Sequence, residues 1–245
     1  FIIMSSRVLL VNPPFYRLLG SHYNANSLGI AYIASFLNNK GHDAWVYNAD
    51  YLSESEYKNL NNIFDGFIDY QKFFNNKNDP IWLEVVQKIC EFEPEWVGYT
   101  SYTANVTAID IISRKVKRIR PETQQVIGGV HATLDNNILN HMPSIDYSVQ
   151  REGEEAMLSL IEGKSPEAIS GVVTRNTLGL CNNGDADIIK DIDAIPYPER
   201  ENLWGIDEDL KHTVDVSYIC TIRGCPYRCN YCASPFHWKR DKTQY

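Results

Sequence analysis

No stretch of this sequence approaches the roughly 18 consecutive apolar residues of a membrane-spanning helix, although hydrophobic residues make up 44% of its 245 positions. It also lacks a charged-then-apolar leader, so neither export nor a membrane span is expected and the reading places the chain in the cytoplasm. No G-x-G-x-x-G follows the first apolar run, which argues against a dinucleotide. Cysteines number only six, and three of them crowd into residues 225–232. Too few are left for a disulfide framework, and a reducing compartment fits better. A second paired set of ligands, which usually completes a zinc motif, is absent. Positive charge is scarce as well. The net charge is −8, yet residues 216–245 carry a local balance of +4 from Arg223, Arg228, Lys239, Arg240 and Lys242 against Asp241, leaving −12 on the rest. An acidic body of that kind speaks against nucleic acid as a partner. The basic end is either a solvated tail or a setting that favours thiolates and a carboxylate-bearing ligand.

What is present centres on Cys225-Pro226-Tyr227-Arg228-Cys229-Asn230-Tyr231-Cys232. Three thiolates on one short loop can face a common centre, and soft ligands of this type select iron-sulfur clusters or zinc. Three are one too few for a closed site, whereas a site kept for chemistry leaves a metal position open to a small molecule. Zinc would need Cys220 or His237 as a fourth ligand. Cys90 and Cys181 read as ordinary small apolar thiols.

Upstream, apolar runs alternate with helical periodicity. Strands are expected at Arg7–Asn12, Ala44–Tyr47, Trp96–Ser101, Gln125–Gly129 and Ile145–Val149, and helices at Ser27–Leu37, Ile81–Phe92, Ile109–Ile119 and Glu154–Glu162. Leu60, Ile63, Phe64, Phe67 and Ile68 form a further amphipathic stripe, ordinarily core packing and otherwise an aromatic cover over a ligand. Gly171–Thr174, Leu178–Leu180 and Ile188-Ile189 read as short strands, with Asn182-Asn183-Gly184 as a hairpin turn. Strands alternating with helices imply parallel pairing and right-handed crossovers. The fold class expected is therefore α/β, a doubly wound parallel five-stranded sheet in the flavodoxin-like order. Such sheets bind ligands beyond the carboxyl ends of their strands. Here those ends are Asn12–Asn26, Ser101–Asn105, which contributes Ser101 and Thr103, Gly128–Thr133, and Gln150–Glu154. Gly128-Gly129-Val130-His131-Ala132-Thr133 removes two side chains where a large ligand can approach the backbone, and a tight turn explains it equally.

These motifs carry a resemblance. C-x-x-x-C-x-x-C, with Thr221-Ile222-Arg223-Gly224 before it and Ala233-Ser234-Pro235 after it, resembles the cluster loop of radical S-adenosylmethionine (radical SAM) enzymes. Gly-Gly-x-His-x-Thr at 128–133 and Arg151-Glu152-Gly153-Glu154 look like the cobalamin-binding domain that precedes many radical SAM domains. Asp191–Arg200 resembles the linker between the two modules, so the likeness runs from Arg7 to Arg240. It implies a cobalamin-binding-like domain at 5–165, a connector at 166–205 and, at 206–245, the truncated start of a radical SAM barrel whose first strand is Val214–Ile219. It also implies three cofactors. Cys225, Cys229 and Cys232 would hold three irons of a 4Fe-4S cluster, S-adenosylmethionine would chelate the fourth, and Tyr231 would pack on the adenine. Ser101, Thr103, Gly128, Gly129, His131, Thr133, Arg151, Gly153 and Glu154 would line the cobalamin site.

The Asp-x-His-x-x-Gly motif that ligates cobalt in methionine-synthase-type domains is absent, since Gly20 and Ala25 flank His22 where its aspartate and glycine would stand. Cobalt without a histidine beneath it is therefore expected. The activity implied is a cobalamin-dependent radical SAM methyltransferase acting on an unreactive carbon or phosphorus centre. An oxidative cyclase or rearranging enzyme with the same cofactors is the alternative, and a binding module with an inert or zinc-filled cysteine loop is the reading of another class. The partners implied are a small-molecule or peptide substrate and an electron donor such as a flavodoxin or ferredoxin. A barrel takes roughly 200 residues and thirteen follow Cys232, so a piece of a longer enzyme is expected, inactive alone.

Overall fold

A computed structural model of the chain describes residues 5–21, 27–52, 63–205, 218–225, 227 and 229–237. Five strands, β1 (Arg7–Asn12), β2 (Asp43–Asn48), β3 (Trp96–Thr100), β4 (Gln124–Gly128) and β5 (Tyr147–Val149), run parallel to one another in the spatial order β5-β4-β3-β1-β2. The helices between them are α1 (Leu28–Asn39), α2 (Ile63–Asn75), α3 (Pro80–Phe92), α4 (Val106–Ile119), α5 (Val130–Leu134) and α6 (Ile138–His141), and α7 (Glu154–Ile161) follows β5.

Strand side chains alternate between the two faces of the sheet, and each face meets its own helices. Leu9 and Val11 of β1, Val97 and Tyr99 of β3 and Ile127 of β4 pack with Trp82 and Ile89 of α3 and Ile109 and Ile112 of α4. Val8, Leu10, Val126 and Val149 pack on the other side with Ala34 and Leu37 of α1 and Met157 and Leu160 of α7. Because β1 is covered on both sides, its sequence is a continuous apolar run rather than an alternating one. Local signals set the helix ends. Asp79 accepts the Ile81 N–H at 3.2 Å and Pro80 occupies the first turn of α3, where its missing N–H costs nothing.

Three corrections to the sequence expectation follow. First, the sheet is mixed and has eight strands rather than five parallel ones, in the order β7-β6-β5-β4-β3-β1-β2-β8. β6 (Val172–Asn176) runs antiparallel beside β5, β7 (Gly179–Asn182) antiparallel beside β6, and β8 (Leu203–Trp204) parallel beside β2. These additions satisfy the edge hydrogen bonds that β5 and β2 would otherwise leave open. Second, the hairpin turns at Thr177-Leu178, with Asn176 paired to Gly179, rather than at Asn182-Asn183-Gly184. Asn183 instead donates its side-chain amide to the carbonyls of Pro166 and Ile169, and Ile188 and Ile189 form no strand. Third, the face of α2 turned to the core carries Tyr70, Phe73 and Phe74, while Phe67 and Ile68 are half exposed.

The proposed first barrel strand falls largely outside the described residues, and Tyr218 and Ile219, the part described, lie in no strand. Among the described residues no helix is long and apolar enough to cross a membrane.

Candidate cofactor site

The carboxyl ends of β1, β3, β4 and β5 open onto a cavity of about 250 Å³ beside the start of α1. Its floor is in part glycine backbone. Gly98 of β3 and Gly128 of β4 line it together with Leu10, Val126 and Val149, and a Cβ on Gly98 would stand 2.6 Å from the Leu10 Cδ2. Tyr32 and Ile33 of α1 and Met157 of α7 supply apolar walls. A narrow, largely apolar slot with glycines at its base is the kind of space that admits a bulky organic group to the backbone.

The loop after β4 is held shut on itself. Ser101 is fully buried: its N–H and hydroxyl donate to the Gly128 carbonyl at 2.8 and 2.6 Å, and its hydroxyl accepts from Ala132 N–H at 3.2 Å. Gly129 has φ +95°, a conformation that favours glycine. The Thr133 hydroxyl donates to the Gly129 carbonyl at 2.9 Å and accepts the Arg151 N–H at 2.9 Å, linking the loop to the turn after β5. Arg151 is itself left-handed at φ +64°. Thr103 and His131, both near the rim, are joined at 3.0 Å between Oγ1 and Nδ1, and the other ring nitrogen of His131 lies 4.0 Å from Asp135. The structure brings the two loops together, with Ser101 and Thr133 spent on internal hydrogen bonds and Gly128, Gly129, Arg151, Gly153 and Glu154 on the cavity lining.

The segment carrying the cysteines closes the same cavity. Cys220, Arg223 and His237 line it, the last from the short helix α8 (Ser234–His237). The Arg223 guanidinium reaches Glu152 at 2.9 Å and Glu154 at 2.7 Å and lies over the Tyr32 ring, 5.1 Å from its centroid. Burial pushes the Glu152 carboxyl up, opposed by its bonds to Arg223 and to the Ile189 N–H. Burial also works against the charge on Arg223, but the two carboxylates outweigh it and hold the guanidinium above its ordinary value. Neither Glu152 nor the part played by Arg223 was singled out in the sequence. Two carboxylates astride a loop glycine, with an arginine two residues before the first loop cysteine, were the signal available.

Cys225 and Cys232 are half-buried and Cys229 is exposed. Cys232 N–H donates to the Cys229 carbonyl at 3.1 Å, and Ser234 N–H donates to the Cys232 sulfur at 3.4 Å. The donor set suits a soft metal or cluster in kind. Among the described residues no group of three histidine, cysteine or carboxylate side chains is gathered about one centre, so the cysteines are not arranged here as a closed site. Tyr231 is almost wholly exposed. His22 lies outside the described residues.

A second, wider cavity of about 540 Å³ lies over the ends of β1, β2 and β3, lined by Asn12, Phe15, Tyr16, Asp50, Tyr102 and Asn105 among others. Asp50 is buried and its Oδ1 accepts the N–H groups of Phe15 and Arg17 at 2.6 and 2.8 Å. Burial pushes its carboxyl up to about 6 in spite of them.

The B12 binding domain family model matches residues 20–161, the span that supplies most of the lining of both cavities. An uncharacterized methyltransferase of Pyrococcus horikoshii is 26% identical over 237 residues, 93% of this chain and 45% of that protein. The anaerobic magnesium-protoporphyrin IX monomethyl ester cyclase of Rubrivivax gelatinosus is 29% identical over 212 residues, 80% of this chain and 35% of the cyclase. Two solved structures share the fold. One is the radical S-adenosylmethionine methyltransferase TsrM from Kitasatospora setae with cobalamin and a 4Fe-4S cluster bound, at TM-score 0.63 and 19% identity, covering 95% of this chain and 42% of that one. The other is the cobalamin-dependent S-adenosylmethionine radical enzyme OxsB with aqua-cobalamin and S-adenosylmethionine bound, at TM-score 0.62 and 14% identity, covering 94% and 28%. The chain spans less than half the length of each of these relatives. With the model covering more than half of its residues, the chain belongs to the B12-binding domain family.

Proposed function

We propose that the chain is the cobalamin-binding part, together with the cluster loop, of a radical SAM methyltransferase. The observation that carries this reading is that Cys220 and Arg223, from the cysteine segment, line the same cavity as Gly128 and Gly129. A cobalamin site and a three-cysteine loop side by side have little use for one another unless both cofactors serve one substrate. When bound, cobalamin would supply a transferable methyl group and the cluster an electron for cleaving S-adenosylmethionine.

The chain's own residues bind and position. Gly128 leaves the floor of the cavity open, Gly98 gives room for the Leu10 side chain beside it, the Ser101 and Thr133 hydrogen bonds hold its rim rigid, and Tyr32 and Ile33 exclude water along one wall. Cys225, Cys229 and Cys232 would hold the cluster and Tyr231 would face the adenine. Residues 5–165, 166–205 and 206–245 are the divisions this reading assigns, with substrate contacts supplied by sequence beyond this chain. An electron donor such as a flavodoxin or ferredoxin and a small-molecule or peptide substrate complete it, in the cytoplasm. A cyclase is the second reading, favoured by the 29% identity to the Rubrivivax gelatinosus cyclase.

Anaerobic incubation of the chain with hydroxocobalamin, iron and sulfide tests the proposal. One cobalamin and about four irons per chain are expected, with the iron lost and the cobalamin kept in Cys225→Ala, Cys229→Ala and Cys232→Ala. Stoichiometric zinc that survives the treatment would make the cysteine loop a structural site. Transfer of label from methyl-labelled S-adenosylmethionine to product by the longer protein separates the methyltransferase from the cyclase.

A further inference from the structure

The cysteine segment has little apolar contact to hold it in place. Tyr218, Ile219, Ile222, Tyr227 and Tyr231 are all exposed. Among the described residues, Arg200 donates to the Tyr218 carbonyl at 2.7 Å, and two further polar ties join the segment to the body. At its start, Arg223 divides its two terminal nitrogens between Glu152 and Glu154, at 2.9 and 2.7 Å. The side chains are 11%, 4% and 4% exposed, so these bonds are largely withdrawn from water. The flat face of the guanidinium covers Tyr32, and the Tyr32 hydroxyl brackets Cys220, donating to its carbonyl at 3.2 Å and lying 3.4 Å from its N–H. At its end, Arg151 Nη1 donates to the His237 carbonyl at 2.7 Å. Glu152 and Glu154, which hold Arg223, and Arg151, which holds His237, belong to the one turn at 151–154, where the Arg151 N–H is bonded to Thr133.

We propose that Arg223 is a positioning residue, a latch that holds the cysteine segment as the outer wall of the 250 Å³ cavity, so that the segment must lift for the occupant of that cavity to enter or leave. The latch stands on this geometry, and the identity of the occupant rests on the cobalamin reading above. Two buried carboxylates two residues apart repel each other unless a cation stands between them, and the planar guanidinium is suited to bridging both. Breaking one side of such a pair costs more than the pair contributes, because the buried charge is left unpaired. Glu152 also accepts the Ile189 N–H at 2.7 Å, so the same carboxylate ties down the chain leading to the cysteines. By linkage, an occupant that packs against the closed wall steadies the latch by as much as the latch retains the occupant.

Hydrogen exchange over residues 218–225 of the full chain, with and without hydroxocobalamin, tests the latch, and the release rate of bound hydroxocobalamin tests its consequence. In Arg223→Ala, exchange at 218–225 is expected to speed up at least ten-fold while the amides of β1, β3 and β4 keep their protection, and release is expected to accelerate at least ten-fold. Arg223→Lys should fall between, since one ammonium cannot span both carboxylates in plane. Because Arg223→Ala strands two charges, the triple variant Arg223→Ala, Glu152→Gln, Glu154→Gln removes the latch without them and should behave alike. Unchanged exchange at 218–225 in both variants overturns the proposal, as does faster exchange with unchanged release. If the unaltered chain binds no hydroxocobalamin, the cobalamin reading falls instead, and the exchange result alone decides whether Arg223 holds the segment.

Discussion

A Cβ placed on Gly129 would stand 2.8 Å from both the backbone nitrogen and the carbonyl oxygen of Ser101. With φ at +95° as well, no side chain is tolerated there. Gly129→Ala is expected to lower the unfolding free energy by about 2 kcal/mol or more, read from urea denaturation midpoints. A larger residue such as leucine at 129 would therefore disturb the loop before it reached any ligand.

Gly128 is the cleaner probe of the cavity. A Cβ there meets only the Val149 carbonyl, at 3.6 Å, an ordinary contact, and it would stand in the lining. Gly128→Ala is expected to leave stability within about 0.5 kcal/mol of the parent and to weaken hydroxocobalamin roughly ten-fold in a titration followed by its visible spectrum. Unweakened binding in a stable variant would remove this cavity from the site.

Asp50 gives a pH dependence of defined sign. Burial raises its carboxyl from 3.8 to about 6, so between those values the folded chain keeps a proton that the unfolded chain has released. Stability contributed by Asp50 is therefore present at low pH and lost as pH rises through that window, on the order of 3 kcal/mol in all. Asp50→Asn retains an acceptor oxygen for Phe15 and Arg17 but has no proton to lose. The difference in urea midpoint between variant and parent should grow in the variant's favour from pH 4 to pH 7. A constant difference would place the Asp50 carboxyl in its ordinary range.

His131 is drawn sideways, one ring nitrogen toward Thr103 at 3.0 Å and the other toward Asp135 at 4.0 Å. An imidazole ligand is ordinarily free on one nitrogen and oriented through the other by a partner, and the Asp-x-His-x-x-Gly motif that supplies such a ligand is absent from this sequence. The Co(II) EPR spectrum of cobalamin bound to protein labelled with nitrogen-15 at histidine is expected to show no splitting from the label. Splitting that disappears in His22→Ala would identify His22 as the lower ligand.

The regular elements were legible because their causes are local. Val8–Val11 is apolar throughout since both its faces are covered, and Ser27–Leu37 repeats its apolar residues at the helical spacing that α1 uses. Elements that rest on distant partners were not legible. The two residues of β8 carry no periodicity, and they become a strand through pairing of Leu203 with Val46 and Trp204 with Tyr47. Trp204 stacks edge-on to Trp45 and Phe92. The stripe on α2 misled because helical spacing marks an apolar face without saying which way it turns. Tyr70, whose hydroxyl bonds the Ala104 carbonyl at 2.6 Å, decides the rotation.

What the sequence by itself determined is the chemistry at hand: three thiolates at cluster-loop spacing, glycines after β4, and an α/β alternation that places loops at one end of a sheet. These depend on residue type and short spacing, which survive without coordinates. Only the tertiary structure decided that Ser101 and Thr133 hold the loop rather than face the cavity, and that Arg223 crosses 71 and 69 positions to meet Glu152 and Glu154. A contact between a charge and two carboxylates so far apart follows from the crossovers and from the burial that makes pairing obligatory, and no local pattern encodes either.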